Sequence, residues 1–131
     1  MKEESTVKSY VKPKTEDFVI MFDSITKLLD SNCTQTEYRL MLSLCVIVEY
    51  NTNRLFITPS RRIEIREKLG GEKILNNGSY STAFKGLLDK KIILVIEGNY
   101  VLSPYFFWKG ELAARARLMK TITTKVINAR L

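Results

Sequence analysis

The stretch Ser79-Tyr80-Ser81-Thr82-Ala83-Phe84-Lys85-Gly86-Leu87-Leu88-Asp89-Lys90-Lys91-Ile92-Ile93 changes character part-way along. Ala83, Phe84, Leu87 and Leu88 are spaced to share one face of a helix. Small hydroxyl residues stand at its start, where a side-chain oxygen can take a free backbone amide. Asn76-Asn77-Gly78 comes just before, so Ser79 or a neighbour is the expected cap. Asp89-Lys90-Lys91 closes the helix, and Ile92 to Ile96, rich in β-branched residues, predicts a strand. Glu97-Gly98-Asn99 predicts a turn and Tyr100-Val101-Leu102 the return strand. A helix therefore runs straight into a hairpin.

Working upstream, Thr58-Pro59-Ser60 opens another helix, with proline tolerated in the first turn. Ile63, Ile65 and Leu69 are its apolar positions and Gly70-Gly71 breaks it. The connection from Gly70 to Gly78 is longer than a usual helix-turn-helix turn and has room for an extra helical turn. Leu55-Phe56-Ile57 reads as a small strand. Thr34-Gln35-Thr36-Glu37 is a capping box ahead of Tyr38 to Tyr50, a run apolar on most sides that predicts a central, buried helix ended by Asn51-Thr52-Asn53. Phe18, Met21, Phe22, Ile25, Leu28 and Leu29 predict a further helix ending near Ser31-Asn32. Downstream, Ser103-Pro104 stops the return strand, and Tyr105-Phe106-Phe107-Trp108 reads as packing that holds the last helix against the hairpin. That last helix starts near Gly110, with Leu112, Ala116, Met119, Ile122 or Thr123, and Val126 on one face.

The expected fold class is mostly α with a small β-hairpin. The element order is that of a winged helix-turn-helix with an added N-terminal helix and a C-terminal amphipathic helix. The expected organisation is a flexible basic arm over 1–15, a winged helix-turn-helix domain over 16–108 and a basic amphipathic helix over 109–131. In such a domain the helix before the hairpin presents its polar face to the major groove and the preceding helices brace it. Asn77, Ser79, Tyr80, Ser81, Thr82 and Lys85 are then the candidate reading residues, because hydroxyls, amides and lysine can bond base edges or phosphates. Ser79 reads equally as a plain cap, Lys85 as a solvated lysine, and Tyr80 as packing under the hairpin. Arg61, Arg62, Lys73, Lys90 and Lys91 are candidate backbone contacts, with ion pairs to Glu64 and Glu67 the alternative for the two arginines. Glu97 at the hairpin tip is a poor phosphate contact.

The 131 residues carry 21 Lys+Arg against 14 Asp+Glu, a net charge of +7. The excess lies at the ends: residues 1–15 carry +2, 109–131 carry +5 and the middle is neutral. Lys12, Lys14, Arg115, Arg117 and Lys120 are therefore candidate non-specific DNA contacts; solvated termini that aid solubility are the alternative. There is no histidine, which excludes a Ser-His-Asp triad, a Cys-His pair and a histidine-held metal. Neither a metal site nor a cofactor is expected. Cys33 and Cys45 are too few for a four-cysteine zinc site and read as thiols of a reduced, cytoplasmic protein. The start, Met1-Lys2-Glu3-Glu4-Ser5, lacks the apolar stretch of a signal peptide, and Leu40 to Val48 is too short to span a bilayer. No membrane partner is expected.

A more specific likeness follows the hairpin. Gly98-Asn99-Tyr100-Val101-Leu102-Ser103-Pro104-Tyr105-Phe106-Phe107-Trp108-Lys109-Gly110 resembles the stretch in RepL-type plasmid replication proteins, where a wing strand ends in a Gly-x-Tyr-apolar-apolar-Asn-Pro segment followed by aromatics and Lys-Gly. Ser103 stands where asparagine is usual. The resemblance covers roughly residues 16–120. It implies an initiator-like, sequence-specific DNA binder encoded by a mobile element. The function expected is binding of double-stranded DNA at plasmid or phage origin repeats and recruitment of host replication proteins, without catalysis. A transcriptional repressor on operator repeats uses the same surface. A winged-helix interaction or virion-associated protein that does not read DNA is the reading from a different class. The apolar stripe of the last helix suits a homodimer through that helix, or packing on the first helix.

Overall fold

The computed structural model describes residues 18–30 and 32–130, with side chains described as far as Thr124 except at 29 and 30. The arm over 1–15, with Lys12 and Lys14, lies outside the described residues. Helix α1 (Gln35–Ile47) starts where the capping box requires. The Thr34 hydroxyl accepts from the Glu37 amide at 3.0 Å, and the Glu37 carboxylate accepts from the Thr34 amide at 2.7 Å. Leu40, Met41, Leu44 and Cys45 are buried, placing α1 at the centre of the core. Its opposite side is open, with Leu42 58% and Val46 68% exposed, so α1 is central without being enclosed.

Helix α2 (Pro59–Gly70) is capped by Thr58, whose hydroxyl accepts from the Arg61 amide, and buries Ile65 and Leu69. Ile63, expected on the same face, is 46% exposed. Helix α3 (Asn77–Asp89) begins earlier than expected, because Asn76 rather than Ser79 is the cap: its side chain accepts from the Ser79 amide at 2.7 Å. The connection between α2 and α3 holds no extra helical turn; it is an open segment tied back to α2. The Leu75 amide donates to the Arg66 carbonyl at 2.9 Å, and Arg66 Nε donates to the Leu75 carbonyl at 2.8 Å. Both α2 and α3 pack on α1.

The described chain is mostly helical, with two small two-stranded antiparallel sheets. One is the hairpin of β2 (Ile93–Ile96) and β3 (Asn99–Leu102), registered Ile93 to Leu102 through Ile96 to Asn99. Glu97 and Gly98 have φ of 52° and 81°, the pair of positive angles that a two-residue type I′ turn needs. The strand expected over Leu55-Phe56-Ile57 is reduced to one bridge, Arg54 to Val101, and a Leu55 amide bond to the Tyr100 carbonyl. The other sheet pairs β1 (Ile20–Met21) with β4 (Phe107–Trp108).

That second sheet corrects the helix expected over 18–29. The chain is extended through Ile20–Met21 and then turns into a 3₁₀ helix, Asp23–Asp30. Phe22, Ile25 and Leu28 recur every third residue, which fits three residues per turn better than 3.6. The aromatic cluster packs as expected at Phe106, Phe107 and Trp108, which are buried, and two of these also form β4. Trp108 Nε1 donates to the Glu111 carbonyl just ahead of α4 (Leu112–Arg130). Among the described residues no helix is long and apolar enough to cross a membrane.

Asn53, read only as part of a helix-ending turn, joins these pieces. It is fully buried, with φ 56°. Its Nδ2 donates to the Leu102 and Phe107 carbonyls at 3.0 and 2.9 Å, and its Oδ1 accepts from the Lys109 amide at 3.1 Å. One side chain thus links the end of β3 to β4 and to the segment leading into α4.

Candidate nucleic-acid interface

Asn77, Ser81 and Lys85 follow one another at four-residue steps on α3, so they form one row along the helix. All three are exposed, and Thr82 is exposed beside them. Ser79 is half-buried, with its amide donated to the cap. Tyr80, a candidate reading residue, is 3% exposed and belongs to the core, so its packing reading holds and it is no part of the exposed row. Lys85 borders two depressions. A cavity of about 470 Å³ lies toward the hairpin, and one of about 760 Å³ lies toward the start of α1. The row on α3 is thus a crest between two grooves.

Arg62 couples α2 to this crest. Its Nη2 donates to Asn77 Oδ1 and, at 2.9 Å, to Ser81 Oγ, while the guanidinium lies 4.5 Å over the Tyr80 ring. Its Nε is buried without a hydrogen-bond partner. Among the described residues neither Arg61 nor Arg62 forms an ion pair with Glu64 or Glu67. Arg61, Lys73 and Lys91 are exposed, as backbone contacts must be.

Two expected DNA contacts have partners inside the protein. Lys90 Nζ lies 2.9 Å from Glu37 Oε2, and Glu37 is 4% exposed. A buried carboxylate without a cation is costly, so Lys90 is held as its counter-charge and is not offered to a phosphate. Burial acts to raise the Glu37 pKa, but the Thr34 amide bond and the hydrogen bond and charge of Lys90 outweigh it, leaving the pKa lowered. The Lys90 pKa is raised, chiefly by its hydrogen bond to Glu37. Gly86 of α3 makes the room: a Cβ there would overlap the Glu37 carboxylate. Arg115 is the second correction. Its Nε donates to the Pro104 carbonyl at 2.7 Å and its guanidinium lies 3.8 Å over the Phe22 ring, so it pins the start of α4. Arg117 and Lys120 are exposed along the same helix.

Sequence reasoning placed Arg62 near phosphates but missed its clamp on Asn77 and Ser81. It also passed over Ile57, Phe84, Leu88 and Tyr100 as walls of the smaller cavity, although Thr58-Pro59 already marks the turn that brings Ile57 there. Among the described residues no group of three or more His, Cys, Asp or Glu is placed to hold a metal ion. Among the described residues neither Cys33 nor Cys45 is in a disulfide, and burial pushes the Cys45 thiol pKa up to about 12. Comparison with family models, curated proteins and solved structures finds no match to this chain.

Proposed function

We propose that this chain is a winged helix-turn-helix protein that binds double-stranded DNA in a sequence-specific way, with α3 as the reading helix and the β2–β3 hairpin as the wing. The observation that carries the reading is the exposed row Asn77, Ser81 and Lys85, with Thr82 beside it, on a helix clamped to α2 by Arg62. A rigidly held polar row on a helix face is what base-edge contact in a major groove requires. Arg61, Lys73 and Lys91 supply phosphate contacts in this reading, and Arg117 and Lys120 add non-specific attraction.

The role proposed is initiation or maintenance of plasmid or phage replication in the cytoplasm, by binding origin repeats and recruiting host replication proteins without catalysis. Its support is the likeness of the Gly98 to Gly110 stretch to RepL-type proteins. Leu112 and Ala116 are exposed on α4, which suits a homodimer through that helix. A repressor role on operator repeats uses the same crest. A role without DNA reading draws support from the exposed Glu97 at the hairpin tip and from the capture of Lys90 by Glu37. Selection of bound sequences from a random duplex pool tests the proposal. A recovered consensus supports DNA reading, a palindromic one adds the dimer, and an unenriched pool counts against both.

A further inference from the structure

We infer that the cleft between α3 and the hairpin is a binding site for a small aromatic carboxylate. The cavity there measures about 470 Å³, within the range of small-molecule sites. Phe84 and Leu88 of α3, Tyr100 of β3 and Ile57 ahead of α2 form its apolar walls. The Phe84 and Tyr100 rings meet edge to face, 5.0 Å apart at 79°, and Tyr100 remains 43% exposed, leaving ring surface for a planar guest.

The charge of the lining selects the guest. Its charged residues are Arg62 and Lys85, both cations, and among the described residues no carboxylate lines the cavity. A carboxylate takes charge-assisted bonds from cations on the lining, which a neutral alcohol on the same rings does not match. Two cations and mostly apolar walls suit one carboxylate on a one- or two-ring body better than a polyphosphate, which needs more donors. Ser81 and Lys85 line this cavity and also stand in the α3 row, so a bound carboxylate competes with DNA for them; this consequence rests on the DNA reading above.

The site is tested on the full chain without DNA, by calorimetric titration of 2-naphthoate and of its neutral analogue 2-naphthalenemethanol. The expected result is saturable one-to-one binding of naphthoate, with the alcohol about tenfold weaker or more. Lys85→Glu, a change at an exposed position, should abolish naphthoate binding while leaving the melting curve unchanged. Tyr100→Ala, also exposed, should weaken both probes. Absence of saturable binding, equal binding of acid and alcohol, or undiminished naphthoate binding by Lys85→Glu overturns the inference. A duplex-binding titration with and without naphthoate separates the two proposals. If no duplex binds, the DNA reading fails, and the DNA-free titration still decides the site.

Discussion

Lys90 Nζ sits 2.9 Å from Glu37 Oε2, joining the end of α3 to the first turn of α1 across 53 residues of chain. The same carboxylate accepts from the Thr34 amide, so one buried group serves both a helix cap and a tertiary ion pair. The folded Glu37 pKa is lowered, so its stabilisation is present above the unfolded carboxylate pKa and disappears as pH falls through the folded one. Lys90→Met should lower stability at neutral pH by about 1–3 kcal/mol and reduce the drop in stability below about pH 4. Urea unfolding at several pH values checks this. Unchanged stability at neutral pH would restore Lys90 as a candidate DNA contact.

Asn53→Ala should be among the most damaging substitutions. It leaves the Leu102 and Phe107 carbonyls and the Lys109 amide without their side-chain partner, and it puts alanine at φ 56°. The expected cost is about 2–4 kcal/mol, read as a lowered midpoint of denaturant unfolding. A change below about 0.5 kcal/mol, the size of an ordinary surface substitution, would contradict the role given to this residue.

What was legible in the sequence is what neighbours in the chain decide. The capping box at Thr34, Pro59 in the first turn of α2 and the helix-to-hairpin order of residues 77–102 depend on interactions within a few residues, and the structure places them close to the expected positions. Pairing of Ile20–Met21 with Phe107–Trp108 was not legible, because a two-residue strand carries no periodicity and its partner is far along the chain. The same reason hid the partners of Lys90 and Arg115: a basic residue in sequence does not show whether it faces water or a buried carboxylate. At the candidate site Ser81, Thr82 and Lys85 are exposed, whereas Tyr80 is turned inward, with its ring beside Phe84 and beneath Arg62.

Arg115 and its neighbours on α4 separate packing from attraction. Arg115→Ala removes the bond to the Pro104 carbonyl and the stacking on Phe22, so stability should fall by about 1–2 kcal/mol with the salt slope of DNA binding unchanged. The double change Arg117→Ala and Lys120→Ala should do the reverse. Stability should hold, and the log–log salt slope should shallow by about 0.9 for each phosphate that is no longer neutralised. Thermal melts and anisotropy titrations over a range of salt check both. An unchanged slope in the double variant would make these charges solubilising only.

In the proposed function the exposed row of α3 reads duplex DNA. The most direct test is the affinity of the wild-type chain and of the Ser81→Ala, Thr82→Ala, Lys85→Ala triple variant for a selected consensus duplex and a scrambled one. All three positions are exposed, but Ser81→Ala removes one of the two Arg62 acceptors, so melting curves of both chains accompany the comparison. The expected affinity of the variant is about 10- to 100-fold weaker on the consensus, with a much smaller weakening on the scrambled duplex. Equal weakening on both duplexes, or no binding of either by the wild-type chain at low salt, would contradict that reading.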